Sequence, residues 1–346
     1  MELNRFGAGG RWGMMRHVFD GNGRMLAILL VFVSLGFGKV PIIFDTDMGN
    51  DVDDALALAI LHSLTSRGEC QLIGVTLTNA NPAAVPYVQM INRFYGRGEL
   101  PVGHALKHLK EGDLDSYLSA TLRTAPASYR VSGNQTVIEP AVTLLRRLIA
   151  ASREKVTIVQ VGFSTNLAAL LDSSGDAISP KNGMELVRDK VALLSAMAGN
   201  FAEPKPEYNV KLDIEAARSV FGRWPTPIVF SGFEIGRDLL FPARSIEKDF
   251  AYTDWHPVAV SYRAYKKMPY DRPTWDLTAA LEAVREGHQY FGYSAKGRVR
   301  VEDDGTTRFE PGGGDRYYLV LDASKRARVL EALTLLASEP PKRPLP

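Results

Sequence analysis

The stretch that most limits what this chain can become is Val40–Ala59, VPIIFDTDMGNDVDDALALA. An apolar run, Val40 to Phe44, leads straight into five carboxylates within ten residues: Asp45, Asp47, Asp51, Asp53 and Asp54. A helix-forming run, Ala55 to Leu64, follows at once. Carboxylates gathered at such a strand-to-helix junction repel one another and are costly to desolvate, so the fold must supply a cation or protons. Ligands that are all oxygen suit a hard divalent ion, Ca²⁺ or Mg²⁺. Acidic residues also complement a helix N-terminus, which accounts for one or two of the five but not for the set. An EF-hand is excluded, because the twelfth position from Asp45 is Leu56 rather than Glu and the required Gly is displaced.

From Val40 onward, apolar runs alternate with helical patterns. Strands are predicted at Val40–Phe44, Gln71–Leu77, Leu100–Val102, Val156–Val161, Val191–Met197 and Pro227–Phe230. Helices are predicted near 53–66, 82–95, 139–152, 166–171, 214–221, 257–266, 274–286 and 323–337, while 104–136 reads as a surface excursion. Strands separated by helices imply an α/β fold, a mostly parallel central sheet with helices on both faces. Three late runs around DDGTT and PGGGD add a small C-terminal β-hairpin region. No linker or repeat divides the chain after residue 39, so one domain is expected over 39–346. Functional residues in such folds lie past the carboxyl ends of the strands.

Net charge is only +2, which implies neither a nucleic-acid partner nor a charged membrane surface. The single cysteine, Cys70, rules out an intramolecular disulfide framework and reads as a buried structural thiol. Met25–Phe37 is a 13-residue apolar run, short for a membrane span. With Arg16 and Arg24 before it and Gly36-Phe37-Gly38 after it, residues 1–38 read as a signal peptide or leader. Export to the periplasm or outside is then expected if the segment is a signal peptide, and a cytoplasmic chain if it is not. No stable membrane insertion is expected, and a homo-oligomer stays open.

The strand ends carry the remaining chemistry. Thr78-Asn79-Ala80-Asn81 follows the second strand, Ala198-Gly199-Asn200 follows Met197, and Glu207-Tyr208-Asn209 comes soon after. Each is weak alone, since Asn is a routine turn residue; together they are side chains of the sort that hold sugar hydroxyls. Over roughly 40–290 the sequence resembles the inosine–uridine-preferring nucleoside hydrolases, which cleave ribonucleosides to ribose and free base. The most specific element is Asp45-Thr46-Asp47-Met48-Gly49-Asn50-Asp51-Val52-Asp53-Asp54-Ala55, with Met48 where the family usually has proline and with two extra residues before the closing Asp-Asp-Ala.

What the resemblance implies can be carried across position by position. Asp47 would be the general base that also touches Ca²⁺, and Asp54 a main metal ligand. Asp51 or Asp53 would take the middle metal-proximal role, Val161 would offer a backbone carbonyl, and Asp276 of Trp275-Asp276-Leu277 would be the last ligand. Asp45 is a ligand or a support beside the substrate, while Asn81, Asn200, Glu207 and Asn209 match the ribose-binding set. Trp275 stands where pyrimidine-tolerant members carry histidine, so it looks like the purine-preferring type, its indole stacking on the leaving base. His256 reads as structural, whereas His104 or His108 could reach the base. The competing readings are a haloacid-dehalogenase-like phosphatase, suggested by Asp45-Thr46-Asp47 but lacking its usual companions, and a non-catalytic nucleoside- or sugar-binding protein.

Overall fold

The computed structural model describes residues 39–105, 114–130 and 138–342, together with two short strands nearer the N-terminus. Those two, His17–Phe19 and Met25–Ala27, pair antiparallel within a unit of their own, Met1–Gly38. The remainder of the expected leader lies outside the described residues, as does His108. Among the described residues no helix is long and apolar enough to cross a membrane.

In the unit Lys39–Pro346 the first strand, β1 (Val40–Thr46), is buried at every residue after Val40. It alternates between two cores: Ile42 and Phe44 pack on one side of the sheet, and Ile43 on the other. That two-sided burial is why the run is apolar without interruption until its end. The other parallel strands are β2 (Cys70–Leu77), β3 (Val102–His104), β4 (Ile138–Pro140), β5 (Val156–Gln160), β6 (Val191–Met197) and β7 (Ile228–Ser231). After them come β8 (Gly292–Tyr293), β9 (Gly297–Val301), β10 (Thr307–Pro311) and β11 (Arg316–Val320). Among the described residues they form one 11-stranded sheet in the order β10-β9-β11-β7-β6-β5-β1-β2-β3-β4, with β8 on β11.

The order reverses beside β1. The chain moves outward through β2, β3 and β4, then returns to place β5 on the other flank of β1. Such a switch point opens a crevice past the strand ends, where α/β proteins bind ligands. Asp45 stands level with Thr76 of β2 and Gln160 of β5, so polar side chains from three strands meet under that crevice. The helix Asp53–Arg67 then leaves β1, buried from Asp53 to Leu64, and stops at Gly68 in the left-handed region (φ 79°).

Two expectations are corrected, and one helix was not expected. The stretch 104–136 is more than a surface excursion: helix Leu118–Thr124 buries Tyr117, Leu118 and Thr121 completely. PGGGD does not turn a hairpin, because β11 lies beyond β9 and runs parallel to β7, extending the main sheet; only DDGTT joins an antiparallel pair. Helix Gly183–Lys190 was unforeseen, its capping box formed by Asn182 and Glu185 on an otherwise polar segment.

Candidate active site

Past the ends of β1, β5 and β6 lies a cavity of about 270 Å³. Its acidic wall is Asp47, Asp51, Asp54, Asp276 and Glu207. Asp47 leaves β1 almost fully buried, and its Oδ2 has no hydrogen-bond partner. Asp54, in the first turn of its helix, accepts a hydrogen bond from the Thr46 hydroxyl. Asp276 enters in the first turn of helix Trp275–Arg285. Ligand oxygens of Asp51, Asp54 and Asp276 all lie within 4.8 Å of one another.

The structure separates Asp51 from Asp53. Asp51 faces the cavity, whereas Asp53 turns away and its Oδ2 accepts the backbone N–H of Asp276 at 3.1 Å. Asp53 therefore stands behind the cluster, tying it to the helix that delivers Asp276. Asp45 also lies behind the wall rather than on it. It is wholly buried, with Oδ1 accepting from the Thr76 hydroxyl (2.6 Å) and from Asn166 Nδ2 (2.8 Å).

The polar residues expected on the sugar side divide in the same way. Glu207 and Asn209 line the cavity. Glu207 accepts the N–H groups of Gly199, Asn209 and Val210 at 3.0–3.3 Å, and Asn209 Nδ2 donates to the carbonyls of Val161 (2.8 Å) and Met197 (3.1 Å). Val161 therefore lines the cavity with its carbonyl already held in position. Asn200 and Asn81 are absent from the lining, because local backbone claims their oxygens: Asn200 Oδ1 accepts Glu203 N–H and Asn81 Oδ1 accepts Ala83 N–H. Trp275 is on the wall, its Nε1 donating to Phe233 O at 2.9 Å and its ring stacked on Phe233 at 5.2 Å. His256 is far from such a role, buried among Phe94 and Phe250 with Nδ1 capping helix Pro257–Tyr265. His104 ends β3 exposed, its Nδ1 beside the Ala105 carbonyl.

Burial sets the electrostatics. It raises Asp47, Asp54 and Asp276 well above the usual carboxylate range, and the neighbouring aspartates push each further. Asp51 is raised by burial too, with the Arg272 guanidinium pulling the other way. Glu207 is pushed up to about 7 by burial against its three N–H donors. Carboxylates in this state stay ionised together only with positive charge among them. An oxygen-only cluster with an unpartnered Asp47 oxygen beside it fits a hard divalent cation.

The loop between Asp47 and Asp51 is fixed at every backbone polar group of Met48 and Gly49. Met48 N–H reaches Thr46 Oγ1 and Met48 O accepts Asn79 Nδ2. Gly49 N–H reaches the Tyr117 hydroxyl and Gly49 O accepts Ser116 N–H. Gly49 has φ +121°, and a Cβ there would lie 2.5 Å from the Leu114 carbonyl, so only glycine suits the turn. Sequence reasoning missed Tyr117, and also Asn50, Arg272, Phe233, Tyr208 and Met197 on the wall. A signal existed for Arg272, which precedes Asp276 by four residues; the others carry no chemistry that marks them in advance.

The family model for inosine-uridine preferring nucleoside hydrolases matches residues 42–333. The chain belongs to that family. Its relatives include the pyrimidine-specific ribonucleoside hydrolase RihA of Salmonella enteritidis, 28% identical over 224 residues, covering 60% of this chain and 65% of that one. RihA of a Shewanella species is 30% identical over 219 residues, covering 60% and 63%. The chain thus spans slightly under two thirds of the length of these nucleoside hydrolases. Among solved structures, a plant nucleoside hydrolase superposes with TM-score 0.67 at 23% identity, covering 87% of this chain and 99% of that one. A purine-preferring ribonucleoside hydrolase from Gardnerella vaginalis gives 0.65 at 19%, covering 86% and 99%. At these identities the likeness is one of fold: an α/β fold built on a mostly parallel sheet, with an antiparallel hairpin at its edge. The family membership sets aside the phosphatase alternative.

Proposed function

We propose that this protein hydrolyses the N-glycosidic bond of ribonucleosides, releasing ribose and free base, with Ca²⁺ held by Asp47, Asp51, Asp54, Asp276 and the Val161 carbonyl. The observation that carries this reading is the meeting of one oxygen-only acidic cluster with Glu207 and Asn209 around a single cavity at the strand switch point. Calcium, when bound, supplies the positive charge that orients and acidifies a water. Asp47, raised by burial and by Asp51, takes the proton from that water as general base, a contribution of roughly 10²–10⁴-fold. Glu207 and Asn209, held by the backbone contacts described above, bind ribose hydroxyls and orient the sugar as oxocarbenium character develops.

Purine preference is our reading of the base side. Trp275 and Phe233 give that wall a broad aromatic surface, suited to a two-ring base. The names of the RihA relatives point to pyrimidines for those proteins, so the assay must include both kinds. Release of reducing sugar from inosine, guanosine, uridine and cytidine, with and without a chelator, tests the proposal. Calcium-dependent hydrolysis faster on inosine and guanosine is the expected result. Equal or faster uridine hydrolysis overturns the purine assignment, and ribose binding without turnover in saturating calcium points to a binding protein instead.

A further inference from the structure

Among the described residues on the cavity wall, Arg272 is the one that carries positive charge. Its guanidinium sits 2.5 Å from Asp51 Oδ2 and 3.7 Å from Asp53 Oδ1. The guanidinium carbon also lies 4.9 Å from the centre of the Tyr265 ring and 5.0 Å from that of Trp275, contacts that hold a planar cation in one orientation. Its backbone is anchored as well. Arg272 pairs with Phe241 and Pro273 with Leu240 in a short antiparallel ladder, and the adjacent Asp271 accepts Ala243 N–H at 2.8 Å. The side chain therefore acts from a rigid base.

A cation close to a cation site should repel what the site binds. The geometry also gives Arg272 the opposite capacity. It pins Oδ2 of Asp51, whose Oδ1 accepts the Asp53 N–H at 3.4 Å, and it lies beside Asp53, which in turn holds the backbone of Asp276. Asp51 and Asp53 belong to the N-terminal acidic loop, while Arg272 and Asp276 belong to the segment that starts helix Trp275–Arg285.

We propose that Arg272, acting with Asp53, is a positioning residue that joins the acidic loop to the Asp276 helix and so sets the geometry of the cation site. Removal of a group that orients a metal ligand typically costs 10–100-fold in affinity; removal of a merely repulsive charge raises affinity. The two roles differ in the sign of the effect. The proposal rests on the cation reading given above.

Calcium titration calorimetry on the full chain, paired with thermal melting in chelator, tests it. Arg272→Gln should weaken calcium binding roughly 10–100-fold while circular dichroism in chelator stays that of the folded protein, at a melting temperature lowered by loss of the partner of Asp51 and Asp53. Arg272→Lys keeps the charge without the planar fork and should not restore affinity. Asp53→Asn keeps an acceptor for Asp276 N–H but loses the charge facing Arg272, and should also weaken binding. Calcium binding by Arg272→Gln as tight as, or tighter than, that of the unaltered protein would overturn the role of Arg272 and leave the cation reading standing. Full recovery of affinity in Arg272→Lys, which keeps the charge without the planar fork, would reduce the residue to charge balance and overturn the proposal. If Arg272→Gln does not fold, Asp53→Asn decides by the same criterion. An unaltered protein that binds no calcium overturns both readings.

Discussion

Asp47 holds a buried oxygen without a partner, pressed upward in pKa by burial and then by Asp51. Asp47→Asn keeps the shape and removes the base. Turnover should fall by roughly 10²–10⁴-fold, read by reducing-sugar release. In chelator the variant should melt no lower than the parent, because one buried charge among like charges has gone. His256 makes the opposite kind of prediction. Burial pushes it down to about 3, so its contribution to stability is full above the unfolded value near 6.5 and drains away as pH falls toward about 3. Between pH 7 and pH 5 the parent should lose about 2 kcal/mol more than His256→Phe in denaturant unfolding; an equal loss in both would contradict a neutral buried imidazole. Asp47 and Asp54 were legible because five carboxylates crowd one strand-to-helix junction, whereas Asp276 and the role of Glu207 were marked only by the family resemblance. The choice between Asp51 and Asp53 was not legible. It depends on which way a short loop turns before its helix, and that is settled by Arg272 and by the Asp276 backbone, more than two hundred residues away.

At the scale of elements, the end of β5 runs so close to β1 that a Cβ on Gly162 would lie 2.5 Å from the Asp47 nitrogen. Gly162→Ala must push the two strand ends apart at the point where Asp47 enters the cavity. Calcium affinity and turnover should both drop, with the loss visible in titration before any loss of fold is visible in circular dichroism. Helix Leu118–Thr124 makes a second mechanical contribution, since its preceding residue Tyr117 holds Gly49 N–H at 3.1 Å and Met48 Sδ at 3.3 Å. Tyr117→Phe leaves that buried N–H without an acceptor and should destabilise the protein by about 1–3 kcal/mol, measured by denaturant unfolding. The strand Val191–Met197 could be read from sequence to the residue, because its apolar run ends at Ala198-Gly199-Asn200. Segment 114–124 could not, since what it buries depends on the acidic loop it clamps, and nothing local in its composition records that partner.

The carboxyl groups buried past the strand ends give the stability of the whole molecule a pH dependence with a predictable sign. Burial pushes Asp45 and Glu207 up to about 7, from ordinary values of 3.8 and 4.5. A folded carboxyl that holds its proton more tightly than an unfolded one stabilises the fold at low pH, fully below about 4, and that contribution is lost as pH rises through about 7. The cation-free protein should therefore be less stable at pH 8 than at pH 6, with the buried His62 and His256 opposing only in part. Calcium needs the ionised carboxylates, so its stabilisation, about 2.7 kcal/mol at a hundredfold excess over Kd, should be larger at pH 8. Unfolding curves at both pH values, with chelator and with calcium, would show the trend reverse; curves indifferent to calcium would count against the cluster as a cation site. The α/β class and the strand-end location were legible as well, because alternating strands and helices leave few other arrangements. The bond from Asp276 N–H to Asp53 spans 223 residues of sequence, and this separation is also one of time. At roughly 5–20 residues per second, a ribosome that has just released the acidic loop needs on the order of 10–45 s more to make the helix that completes it. Throughout that interval the nascent chain carries its carboxylates without Asp276, so the acidic site is complete only once helix Trp275–Arg285 has been made.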